Sequence, residues 1–158
     1  MQRGIILLAL AVLGASACAT PDTRTELQPA SAFAHRVSAG EVRVFWNCSQ
    51  PEPNLLQVDG MVQNVGGGQV RFAEVEVVAV NAGGQTVGSA RSAVRDSVLQ
   101  TNQRSPFQVQ VRTAAEAARF DMFHWHLVRE AFGASGPGQR RVQNMVRDIC
   151  LPMEHRSE

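Results

Sequence analysis

Apolar and polar residues alternate through most of residues 56–111, and glycine, asparagine and proline interrupt the alternation at short intervals. Period-two patterning is what a strand buries on one side, because successive side chains point to opposite faces. Leu56, Val58, Gly60, Val62 and Asn64 share one side of the first run, with Met61 and Gln63 on the other. Gly66, Gly67 and Gly68 then make a turn. Val70, Phe72, Glu74, Glu76, Val78 and Val80 alternate with Arg71, Ala73, Val75, Val77 and Ala79. Both sets are partly apolar, which predicts a central strand with a bulge near Ala73–Glu74. Asn81–Gly84 predicts a hairpin connection. The small-residue run after it, 85–97, reads as an edge strand in which Arg91 and Arg95 guard against pairing with another chain. Pro106 opens a last run that places Phe107, Val109 and Val111 on one face.

The flanking segments extend the pattern. Val42, Val44, Trp46 and Cys48 share a face and predict the first strand; Pro51 and Pro53 predict a loop after it. Residues 119–130 fit two periods. A helix would align Phe120, Phe123 and Leu127, whereas a strand would turn Phe123, Trp125 and Leu127 inward with His124 and His126 opposite. Aromatic enrichment favours the strand. Trp46, Phe72, Phe107 and Trp125 are expected in the core. Val142, Met145, Val146 and Ile149 recur at helical spacing and predict a short amphipathic helix within 139–151, ended by Pro152 and followed by a frayed tail, 153–158. Six or seven short strands with regular turn signals make an antiparallel β-sandwich with a short C-terminal helix, expected over residues 38–152.

The N-terminus reads as a targeting segment. Arg3 precedes an apolar run from Ile5 to Leu13 that is too short to cross a bilayer as an ordinary helix, and Ala15-Ser16-Ala17 is followed at once by Cys18. These residues resemble a bacterial lipoprotein precursor, with 1–17 as signal peptide. The resemblance implies a diacylglycerol on the Cys18 thiol and an acylated (palmitate-type) amine after cleavage. Ala15 stands where the commonest lipobox has Leu, and Ala-Ser-Ala also suits ordinary signal peptidase, so plain secretion with a free Cys18 is the alternative. Residues 18–37, polar with two prolines, read as a flexible tether.

The chain has three cysteines. An odd cysteine in an exported protein needs a role, and lipidation of Cys18 leaves Cys48 and Cys150 as a pair. In an oxidising compartment these two are expected to form a disulfide, two buried thiols being the alternative.

Val58-x-Gly60-x-Val62-x-Asn64, the glycine turn, Val75-x-Val77, Asn81-x-Gly83-Gly84-x-x-Val87-Gly88-Ser89 and Pro106-Phe107 together resemble the FxLYD family of envelope proteins. The resemblance covers residues 56–111 and implies an immunoglobulin-like sandwich without a catalytic site. Where that family has Phe-x-Leu-Tyr-Asp, this chain has Val77-Val-Ala-Val-Asn81.

Formal net charge is +1, and dropping residues 1–17, which carry only Arg3, leaves 14 basic against 14 acidic residues. That balance offers no electrostatic footprint for nucleic acid. His124 and His126, two apart on a strand, are the best metal candidates and would need a third ligand such as Met122, Glu130, Met153 or His155. Asp121, His124 and Ser92 or Ser97 lack the Gly-x-Ser-x-Gly context of a hydrolase nucleophile. The functional expectation is a non-catalytic binding or assembly module with no cofactor beyond the lipid on Cys18, presenting the edge strand 85–97, with Arg91 and Arg95, to its partner. It would be held in the bacterial envelope, on the outer membrane facing the periplasm, against another envelope protein. The alternative is a periplasmic metal-binding protein using His124 and His126.

Overall fold

The computed structural model describes residues 28–129 and 138–151. The expected signal peptide, Cys18, Glu130 and the 153–158 tail lie outside the described residues. After a 3-10 turn at Ala30–Ala32 come β1 (His35–Ala39), β2 (Val42–Glu52), β3 (Leu55–Asn64), β4 (Val70–Val80), β5 (Thr86–Ala93), β6 (Val98–Leu99), β7 (Arg104–Arg112), β8 (Arg119–Arg129) and β9 (Gln139–Val146). One sheet has the order β1-β2-β3-β7 and the other β5-β4-β8-β9, with β6 paired to the start of β4; every pairing is antiparallel. The chain is therefore an antiparallel β-sandwich, as expected, with nine strands among the described residues in place of the six or seven predicted.

The core lies between the sheets. The first contributes Val42, Val44, Trp46, Leu56, Val58, Val62, Phe107, Val109 and Val111, and the second contributes Val75, Val77, Ala79 and Met122, with Ile149 closing one end. Gly60 sits between Trp46 and Phe107 in the register of the first sheet. A Cβ there would stand 2.3 Å from Phe107 Cζ and 2.5 Å from the Phe45 carbonyl oxygen, so only glycine lets those rings share the space. Asn64 is fully buried; its amide donates to the carbonyls of Gly68 and Leu99 and accepts from the Gly66 N–H. It thereby fixes the β3–β4 turn against β6, satisfying backbone groups that would otherwise be buried unpaired. Asn81 closes the β4–β5 hairpin by accepting from the Gln85 N–H, and Gly84 takes the positive φ of 79° that the turn needs.

The predicted bulge is present: the β4–β8 register shifts between Arg71 and Glu74. Phe72 stands in it at φ 49° and is 53% exposed, in place of the core position expected. Alternation assigned Phe72 to a side, but a bulge re-aims the side chain at its centre. The loop expected at Pro51 and Pro53 is partly strand, since β2 runs through Pro51 to Glu52; the pairing with β3 is interrupted there, as proline requires.

Two segments differ more. The predicted C-terminal helix is a strand: β9 pairs with β8 from Met122–Val146 to Arg129–Gln139. Val142 and Val146 are four apart, which is two strand repeats of two and close to one helical turn of 3.6, so the spacing fitted either element. The unpaired flank of β8 decided it, and Met145, central to the helical face, is 47% exposed. The domain also begins earlier than residue 38. Asn47 accepts from the Ala34 N–H and donates to the Ala32 carbonyl, Phe33 packs on Phe45, and His35 stacks on Trp46.

Cys48 and Cys150 are disulfide-bonded, with 5.6 Å between their Cα atoms. The bond joins β2 of the first sheet to the turn after β9, where a helix end was expected. Beside it the Trp46 indole N–H donates to the Ile149 carbonyl.

Candidate binding surface

The two faces of β8 carry the chemistry, and β4 decides which is which. Val75, Val77 and Ala79 are the apolar set of β4 and turn inward, leaving Glu74 and Glu76 outside. Directly paired residues share a face, and Val75 pairs with His124 while Glu74 and Glu76 pair with Trp125 and Phe123. The expected orientation of β8 is thus inverted. His124 and His126 are buried at 2% and 1% exposure, and Phe123, Trp125 and Leu127 are half-buried on the outer face.

On that outer face the Arg91 guanidinium lies 4.4 Å from the Trp125 ring centroid and the Arg141 guanidinium 5.7 Å from it. The indole is therefore flanked by cations from strands on either side. Glu76 and Glu74 approach Arg91 at 3.5 and 3.8 Å and hold it over the ring. Such exposed pairs add little stability but fix an orientation. Met145 lies beside Phe123 in register, so the surface is an aromatic centre with an apolar margin and a charged rim.

Inside, the His124 and His126 rings are nearly parallel with centroids 6.5 Å apart. One ion bound by both needs donor nitrogens within about 4 Å of each other, twice an ordinary metal–nitrogen bond. Rings set this way do not reach that without rotating. No cluster of three or more metal-ligating side chains occurs among the described residues. Burial lowers the His124 pKa to about 4, assisted by His126. Burial also lowers that of His126, partly opposed by Glu41 and reinforced by Arg140. Both imidazoles are consequently neutral near pH 7. The Nε2 atoms of both, and Nδ2 of Asn144 opposite His124, have no hydrogen-bond partner among the described residues; the Glu41 carboxylate lies 3.9 Å from His126 Nε2, beyond hydrogen-bond distance, and accepts from Arg140.

Asp121 belongs to the opposite face of β8 from His124, as residues three apart in a strand must. It accepts from Arg119 and from the Asp148 N–H, and makes no triad with His124. The β5 strand does end its sheet, but the end of β7 covers it. The Ala114 N–H donates to the Val87 carbonyl, the Arg95 N–H donates to the Pro106 carbonyl, and a Cβ on Gly88 would stand 2.5 Å from the Arg112 oxygen. Arg91 serves the outer face, and Arg95 faces Asp96 at 3.8 Å. A groove of about 550 Å³ at the β2–β3 and β7–β8 end is lined by Gln50, Leu55, Thr113, Phe120 and one titratable residue, Glu116.

The Arg91–Trp125–Arg141 arrangement was not read from the sequence. The signal available was the strict Glu74/Glu76 alternation, which fixes the parity of whatever strand pairs with β4.

No family model matches the chain, and no curated protein matches it. Solved structures are similar at low identity. The GAE domain of yeast GGA1 aligns with a TM-score of 0.48 and 9% identity, covering 72% of this chain and 98% of that one. The GAE domain of GGA2p from Saccharomyces cerevisiae gives 0.48 and 6%, covering 74% and 96%. The structural genomics target SoR45 gives 0.40 and 11%, covering 77% and 96%. Likeness at this level says nothing of activity or partner.

Proposed function

We propose that this protein is a lipid-anchored module of the bacterial envelope that binds another envelope protein and performs no catalysis. The observation that supports binding is the outer face of the second sheet. A half-buried tryptophan between two arginines, with methionine at its margin, has the composition of an interface centre. The anchor rests on Arg3, the apolar run and Cys18, and the FxLYD resemblance over residues 56–111 agrees with an envelope setting. Arg91 takes part through this face.

A photo-crosslinking residue at position 91 in intact cells should trap an envelope protein, and Trp125→Ala should abolish the adduct. If position 91 yields no adduct in wild-type background, the binding reading is wrong. Labelling with a palmitate analogue tests the anchor separately: wild type should take label and Cys18→Ser should not. Equal absence of label in both would make the chain a secreted one.

A further inference from the structure

The two long sides of the sandwich differ. At one, β5 and β7 are joined by backbone hydrogen bonds. At the other, β1 and β9 face each other without pairing, and the outer flank of β9 has no strand among the described residues. Three buried polar atoms without a hydrogen-bond partner among the described residues also lie toward this side: Nδ2 of Asn144 on β9, and Nε2 of His124 and His126 one strand inward. Asn144 Nδ2 can only donate, so the seam calls for an acceptor.

We propose that the outer flank of β9 is the docking edge for an extended, acidic segment of a partner protein, which adds to the second sheet as a further antiparallel or parallel strand. The proposal rests on the binding reading above and names the partner's chemistry. β-Augmentation supplies main-chain hydrogen bonds, while alternate side chains supply selectivity. Residues 139–147 read Gln-Arg-Arg-Val-Gln-Asn-Met-Val-Arg, with no acid and three arginines, of which Arg140 is held by Glu41. Side chains of the added strand that point outward meet Arg141 and the Trp125 face; those that point inward meet Asn144 in the seam.

Two other occupants fit less well. A second copy pairing β9 to β9 brings two stretches of the same net charge together, and like charges close across a strand pair are destabilising. Among the described residues the N-terminal end of the chain lies elsewhere: Phe33 packs on Phe45, on the opposite side of β2 from Val44 and Trp46, and so on the far face of the first sheet.

The test is hydrogen–deuterium exchange on the intact protein with two probes matched in length to β9: a peptide of alternating valine and glutamate, and one of alternating valine and lysine. The glutamate peptide should slow exchange in residues 139–146, the lysine peptide should not, and added salt should weaken the effect. The Arg141→Glu/Gln143→Glu double variant alters two exposed side chains, and its thermal midpoint checks that it folds. It should bind the glutamate peptide about tenfold more weakly and reverse the preference. Equal response to both peptides, no protection of 139–146, or a double variant indistinguishable from wild type overturns the proposal. Protection of residues 86–93 in its place overturns the β9 edge and leaves the binding reading standing. Failure of the position 91 crosslink is what removes that reading.

Discussion

Buried neutral histidines make the stability of this sandwich depend on pH in a defined direction. In the unfolded chain an imidazole titrates near 6.5, whereas the His124 pKa in the fold is about 4. The fold therefore excludes a proton that the unfolded chain accepts. Its contribution is complete above pH 6.5 and is lost as pH falls toward 4. The gap corresponds to about 3 kcal/mol in total, of which about 2 kcal/mol has gone by pH 5. His126, lowered mainly by burial, acts in the same direction. Urea denaturation of the oxidised protein at pH 7.5, 6 and 5 measures this, and a loss of about 2 kcal/mol moves the midpoint by about 1 M for a domain of this size. His124→Leu removes the titrating group while keeping the site apolar. Its stability should fall less between pH 7.5 and 5 than wild type, by about 2 kcal/mol, with the carboxylate background common to both. Parallel pH curves for wild type and His124→Leu would refute the buried, neutral assignment.

Other substitutions test the frame. Reducing the Cys48–Cys150 bond releases a loop with a sequence separation of 102, for which chain entropy gives up to about 4.7 kcal/mol; denaturation with and without reductant reads the loss. Gly60→Ala drives a methyl into Phe107 and the Phe45 carbonyl and should cost at least about 1–3 kcal/mol by thermal unfolding, so an unchanged melting temperature would contradict the packing described. Asn64→Ala leaves the Gly68 and Leu99 carbonyls unpaired and should cost about 1–3 kcal/mol, with faster amide exchange at Gly66 as the local signature.

Much of the frame was legible because single residues carried the decision. Gly60, Asn64, Asn81 and Gly84 mark places where backbone approach or turn geometry excludes other residues, and each has that role. The bulge was visible as two half-apolar sets in one strand. The disulfide followed from counting. The candidate site was harder. Phe123, Trp125 and Leu127 against Met122, His124, His126 and Val128 gives β8 two plausible inner faces, and only its partner's register chooses between them. The strand β9 was hidden for a similar reason: Val142 and Val146 suit both a helix and a strand, and a free flank on β8 is a fact of tertiary structure. Trp125 was assigned to the core because burial and cation contact ask for the same residue type.

The Cys48–Cys150 bond also sets how the domain would carry load. Tension applied between residue 28 and residue 151 passes through the crosslink and bypasses everything from β3 to β9. Only residues 28–47, comprising β1 and the first part of β2, lie in series with the pull, and they can lengthen by at most about 70 Å. The sheets that hold Trp125, the histidines and the β9 flank stay outside the force path. For a pull between those two residues, the surface keeps its shape.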